Sequence, residues 1–150
     1  MNTVNTNYVN LPIKLYDPTF IQNCVFSGEV IVFEKSIFIN KIIETTLSHF
    51  KKIFGICLKD FFENKHNLTF QTKENLFLQL QNKIKKCSVI NINFAYFLEE
   101  IGFEIKYVFK DQYSIRYSPK LCHKAFGKLK PAPPHRDTWA SNLFDQINFW

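Results

Sequence analysis

A chain of 150 residues that is 46% hydrophobic and 21% charged has the size of one domain and enough apolar surface to fold around a core, which excludes a disordered or fibrous protein. The net charge is +6, yet Arg116 and Arg136 are the only arginines and the lysines are dispersed, with small clusters at Lys51-Lys52, Lys83/Lys85/Lys86 and Lys120 to Lys130. That pattern reads as solvated faces and not as a phosphate footprint, so no nucleic-acid partner is expected.

Four glycines are too few for a phosphate-cradling loop protein. The opening MNTVNTNYVN has neither the basic nor the apolar region of a secretory signal, and no apolar run is long enough to span a bilayer, so no membrane association is expected. Cys24, Cys57, Cys87 and Cys122 are widely spaced without a C-x-x-C pair. They read as free thiols of a cytoplasmic protein and give no local support for a structural zinc.

In chain order, residues 1–24 read as an irregular or partly extended arm, with a turn at Asp17-Pro18. Glu29–Phe33 (EVIVF) follows Ser27-Gly28 and has the β-branched and aromatic character of a strand. Ser36 is the expected N-cap of a helix to about Phe54, with Ile39, Ile42, Ile43, Leu47 and Phe50 at helical spacing and Gly55 at its end. A short helix is expected over Leu58–Phe62. Thr72 is the expected cap of a helix to about Lys86, with Glu74 in the first turn and lysines in the last, and with Leu76, Phe77, Leu80 and Ile84 as its apolar stripe. A further helix is expected over Asn91–Ile101, burying Phe94, Phe97, Leu98 and Ile101 and closed by Gly102. The texture then changes. Glu104–Phe109 and Tyr113–Tyr117 alternate as strands around a polar turn, 118–134 is a proline-rich loop, and Gln146–Trp150 (QINFW) reads as another strand.

The chemistry concentrates in Pro131 to Trp150. Pro133-Pro134 leads into His135-Arg136-Asp137-Thr138-Trp139. On an extended segment His135 and Asp137 project to one face, and an imidazole and a carboxylate so placed supply two of the three ligands of a facial triad for non-haem Fe(II). Arg136, between them, points the other way and reads as an ion-pair former. His123 follows Cys122 and could approach a metal, although a surface imidazole is the simpler reading. His49 sits near a helical apolar stripe, His66 falls in a loop, and Arg116 lies on the expected YSIRY strand. There is no nucleophile elbow, Walker loop or dinucleotide fingerprint.

HRDTW, a short loop and QINFW together resemble the motif region of proteins related to phytanoyl-CoA dioxygenases, in the Fe(II)/2-oxoglutarate oxygenase superfamily. The start from Gly28 through a strand to the helix ending at Phe54 is similar in layout, and so is the stretch from Asp111 to Tyr117. The resemblance implies an α+β fold in which helices pack on a double-stranded β-helix, a jelly-roll, cupin-like sheet. It implies His135 and Asp137 as iron ligands, Fe(II) and 2-oxoglutarate as cofactors, and oxidation of a C–H bond of a small-molecule substrate. The family's distal histidine and following arginine have no counterpart here. The expectation is therefore an incomplete sheet, with residues 25–150 as the N-terminal portion of a dioxygenase-like domain truncated after the H-x-D motif. An unpaired sheet edge would then favour self-association. The alternative is a non-catalytic binding or structural domain carrying a degenerate motif.

Overall fold

The computed structural model describes residues 7–63, 67–109, 115, 147 and 149. Strand β1 (Tyr8–Leu11) is followed by helix α1 (Pro18–Phe26) and strand β2 (Val30–Phe33). The two strands pair in parallel, with Tyr8 opposite Val30 and Leu11 opposite Phe33. Parallel neighbours need a crossover connection, and α1 provides it.

Residues 7–24, expected as part of an irregular or partly extended arm, thus hold a strand and most of a helix. Asp17-Pro18, read as a turn, is a helix entry: the Asp17 carboxylate accepts the Thr19 N–H at 2.9 Å, and Pro18 occupies the first turn, where its missing N–H costs nothing. Ile21 of α1 is fully buried, which anchors the helix in the core. Gly28 leaves α1 at φ +87° and turns the chain into β2.

Helix α2 (Ile37–Phe54) begins and ends where its cap residues place it. The Ser36 hydroxyl accepts the Phe38 N–H at 3.2 Å, and Gly55 ends the helix at φ +71° while its N–H donates to the Lys51 carbonyl at 3.0 Å. Its buried face differs from the expected stripe in detail. Ile43 and Leu47 are 50% and 41% exposed, whereas Phe50 and Phe54 are buried and Ile42 and Ile53 pack beside them. Helix α3 (Leu58–Phe62) has the expected bounds. Cys57 caps it, accepting the Asp60 N–H at Sγ and donating its S–H to the Asp60 carboxylate at 3.0 Å.

Helix α4 (Phe70–Lys85) starts earlier than expected because Thr69 is the cap. Its hydroxyl accepts the Thr72 N–H at 3.2 Å, and the two threonine hydroxyls share a 2.8 Å hydrogen bond. Helix α5 (Ser88–Glu100) likewise starts three residues before the expected Asn91, running directly on from α4 through Lys86 and Cys87.

Two apolar clusters hold these elements. Phe50, Phe54, Phe61, Leu80, Ile84 and Ile90 join α2, α3, α4 and the start of α5. Phe50 and Phe54 stack at 4.1 Å, and Phe61 meets both edge-on. Fully burying one such ring contributes about 2–3 kcal/mol, so this cluster is the main thermodynamic tie between α2 and α4. The second cluster, Ile21, Phe97, Leu98 and Ile101, gathers α1 and α5, with Ile31 and Phe33 of β2 packed on it. Ser36 bridges toward α5: buried at the head of α2, its hydroxyl donates to Glu100 Oε2 at 2.6 Å.

The first of the C-terminal strands expected from alternation is corrected by the structure. Within Glu104–Phe109 the chain makes a single 3₁₀ turn, Ile105–Tyr107, with Tyr107 N–H on the Glu104 carbonyl at 2.9 Å and Val108 N–H on that of Ile105 at 3.0 Å. Ile105 and Val108, three apart, both reach the second cluster, while Lys106 and Tyr107 face outward. Three-residue periodicity suits a 3₁₀ turn, where positions i and i+3 eclipse, and not a strand.

The fold-class expectation fails with it. The described residues are mainly helical, and their strands are one four-residue parallel pair. A jelly roll is an antiparallel double sheet of many strands, so neither a jelly roll nor a double-stranded β-helix is present among them. The expected strands Tyr113–Tyr117 and Gln146–Trp150 lie outside the described residues except for Ile115, Ile147 and Phe149, which belong to no strand.

Candidate functional site

His135 and Asp137, the expected iron ligands, lie outside the described residues, as do Arg136, Arg116, His123, His66 and Cys122. The chain on either side of the H-x-D motif is tied to the helical body at definite points. Ile115 packs on the phenylalanine cluster, and its N–H donates to the Gln81 side-chain carbonyl on α4. Ile147 packs on the second cluster, and the Phe149 ring stands edge-on to Phe94 and Phe97 of α5 at 5.5 and 6.0 Å.

Beside Phe94 lies a half-open cavity of about 180 Å³, lined by Asn91, Phe94, Ala95, Leu98, Ile105 and Val108. One wall is a face of α5 and the other is the 3₁₀ turn. The lining is mostly apolar, with the Asn91 side chain as its polar member. Sequence reading missed it because alternation in EIKYVF suggested a strand. The i, i+3 pair Ile105 and Val108 was the signal that both side chains share a face.

Among the described residues there is no group of three His, Cys, Asp or Glu side chains able to hold a metal ion. Cys24, Cys57 and Cys87 are free thiols, as expected. Burial and the neighbouring Glu29 carboxylate push the Cys24 thiol upward, which keeps it protonated and unreactive at neutral pH. No helix among the described residues is long and apolar enough to cross a membrane.

His49 was expected to be an ordinary residue near the apolar stripe of α2, and the structure gives it a distinct environment. Its Nε2 is buried with no hydrogen-bond partner among the described residues. Burial, reinforced by the positive charges of Lys83 and Lys52, holds its imidazole below the ordinary histidine range. It shares the face of α2 on which Ile42 and Ile53 pack against the cluster that holds Leu80 and Ile84 of α4.

Comparison with protein-family models, with curated proteins and with solved structures finds no match to this chain.

Proposed function

We propose that the chain is a phytanoyl-CoA dioxygenase-like protein of the Fe(II)/2-oxoglutarate oxygenase superfamily, with His135 and Asp137 as iron ligands. The observation that carries this reading is the HRDTW segment followed by QINFW. The order helix, Gly28, β2, Ser36-capped helix supports it, since it has the layout of the resemblance drawn above. The donor chemistry fits the metal: a neutral imidazole and a carboxylate are two of the three groups of a facial triad.

With iron bound, such a centre supplies oxidation of a small-molecule C–H bond by O₂ and 2-oxoglutarate. On an extended segment, as expected from the sequence, His135 and Asp137 would share one face to hold the metal and Arg136 would take the other. The free thiols of Cys24, Cys57 and Cys87 suit the reducing cytoplasm, which we take as its location.

One observation favours a second reading: the described residues form a helical body held by its own two cores, the organisation of a non-catalytic binding or structural domain. Anaerobic Fe(II) titration of the full chain separates the two. The dioxygenase reading expects binding by the wild type that falls at least tenfold in His135→Ala and in Asp137→Ala. Equal and negligible binding by all three proteins overturns it in favour of the helical binding domain.

A further inference from the structure

Helices α2 and α4 pack together: Phe54 and Phe50 of α2 meet Phe77 of α4 at 5.0 and 6.4 Å, and Ile42 and Ile53, on the helical face that His49 shares, pack on the cluster that holds Leu80 and Ile84 of α4. His49 therefore sits in the seam directly beside the phenylalanine cluster. Its Nε2 is buried and has no acceptor among the described residues. A neutral imidazole tolerates that position, because its unprotonated nitrogen needs no acceptor to avoid a stranded charge. An imidazolium does not, because Nε2 then carries a proton that is buried with no acceptor among the described residues.

The charges around the seam compound the problem. Lys83 faces His49 from α4, and Lys52 stands one turn away on α2 itself. Among the described residues the carboxylates of the packed elements lie elsewhere, and on α2 itself Glu44 pairs with Lys41 at 3.8 Å. On α5 they are Glu99 and Glu100, and Glu100 is engaged by Ser36, at the opposite end of α2 and about 20 Å from His49 at 1.5 Å per residue. On α4, Glu74 lies about 14 Å along the helix from Lys83. On α3, which follows the end of α2, Lys59 accompanies Asp60, whose carboxylate accepts the Cys57 S–H.

We infer that His49 is an acid-sensitive latch: with its ring neutral the α2–α4 seam stays closed over the phenylalanine cluster, and protonation of the ring parts α4 from α2 and uncovers that cluster. The direction of its titration agrees, since burial and the two lysines hold the folded-state pKa below the ordinary 6.5. A group whose folded pKa is depressed in this way, and whose charged form is the protonated one, takes up its proton in the opened state first. The closed seam is therefore at full stability above pH 6.5 and weakens as the pH falls below it. In that window the opened fraction rises by up to about tenfold per pH unit for one linked proton.

The test is amide hydrogen exchange in α4 on the full chain at pH 7.5 and 5.5, corrected for the intrinsic exchange rate, with 1-anilinonaphthalene-8-sulfonate fluorescence reporting the exposed rings. Wild type is expected to show several-fold more opening at pH 5.5. His49→Gln, which cannot ionise, is expected to lose that increase. His66, His123 and His135 are present in both proteins, so their protonation cancels in the comparison. Lys83→Glu, which places a carboxylate opposite the ring, is expected to shrink or reverse the acid response, and it carries the test by itself if His49→Gln fails to fold. An acid response in His49→Gln equal to that of wild type, or one unchanged in Lys83→Glu, overturns the inference.

Discussion

The contact most sensitive to a single methyl group lies where the N-terminal segment crosses the end of α5. Gly102 leaves that helix at φ +105°, and a Cβ built there would fall 2.0 Å from the Tyr16 carbonyl oxygen and 2.9 Å from the Tyr16 nitrogen. Real Cβ atoms stay beyond 3.0 Å, so Gly102→Ala must move one backbone segment by an ångström or more. The obvious casualty is the hydrogen bond from Tyr16 N–H to the Ile101 carbonyl, 3.2 Å long, which ties the segment before α1 to α5.

The left-handed backbone costs an alanine about 1–2 kcal/mol, and the lost hydrogen bond adds about 1 kcal/mol. Loosened packing of Tyr16 and Ile101 on the second cluster adds more, so a total of about 3 kcal/mol is expected. Gly55 is the internal control. Its φ of +71° is also left-handed, but nothing lies within 4 Å of a Cβ there, so Gly55→Ala should cost only the conformational term of about 1–2 kcal/mol. With a urea m-value of about 2 kcal/mol/M, the midpoints should fall by about 1.5 M for Gly102→Ala and by about 0.5–1 M for Gly55→Ala. Limited chymotrypsin digestion should also open the chain near Tyr16 in the first variant and not in the second. Equal midpoint shifts, with no new cleavage near Tyr16, would refute the argument that the close approach is what requires glycine.

Two further changes probe the core and its principal cap. Phe61→Ala removes a ring that is 1% exposed and edge-on to Phe50, Phe54 and Phe77; it should cost about 3–5 kcal/mol by urea denaturation, and a cost under 1 kcal/mol would mean that α3 is not part of the core. Ser36→Ala deletes both the α2 cap and the partner of Glu100, so about 2–3 kcal/mol is expected, and in a double-mutant cycle with Glu100→Gln the two changes should be non-additive. Strict additivity there would show that the 2.6 Å contact contributes nothing.

How much of this was legible beforehand depends on how local the signal is. Helix α2 was readable from Ser36 to Gly55 because a cap hydroxyl and a left-handed glycine act on their own backbone neighbours. The start of α4 was misplaced because Thr69 and Thr72 are both competent caps, and it is the Thr72 N–H that Thr69 receives. Asp17-Pro18 opens turns and helices alike; the burial of Ile21 against Phe97, Leu98 and Ile101 makes it a helix entry here. EIKYVF alternates well enough for a strand, but alternation supplies no partner strand, and Ile105 and Val108 instead find a core that α1 and α5 had already made.

The candidate chemistry divides the same way. His135-x-Asp137 is a reading of the sequence alone, since its residues lie outside the described ones. The environment of His49 could not be read from α2 by itself, because the charge of Lys83 comes from a helix about thirty residues away in sequence. From the sequence alone come the bounds of α2 and α3 and the apolar stripe of α4, since each depends on neighbours within a turn or two. Tertiary structure decides the parallel β1–β2 pairing, the 3₁₀ turn, the glycine forced by Tyr16 and the environment of His49, because burial and charge at those points are set by residues that meet only once the chain has folded.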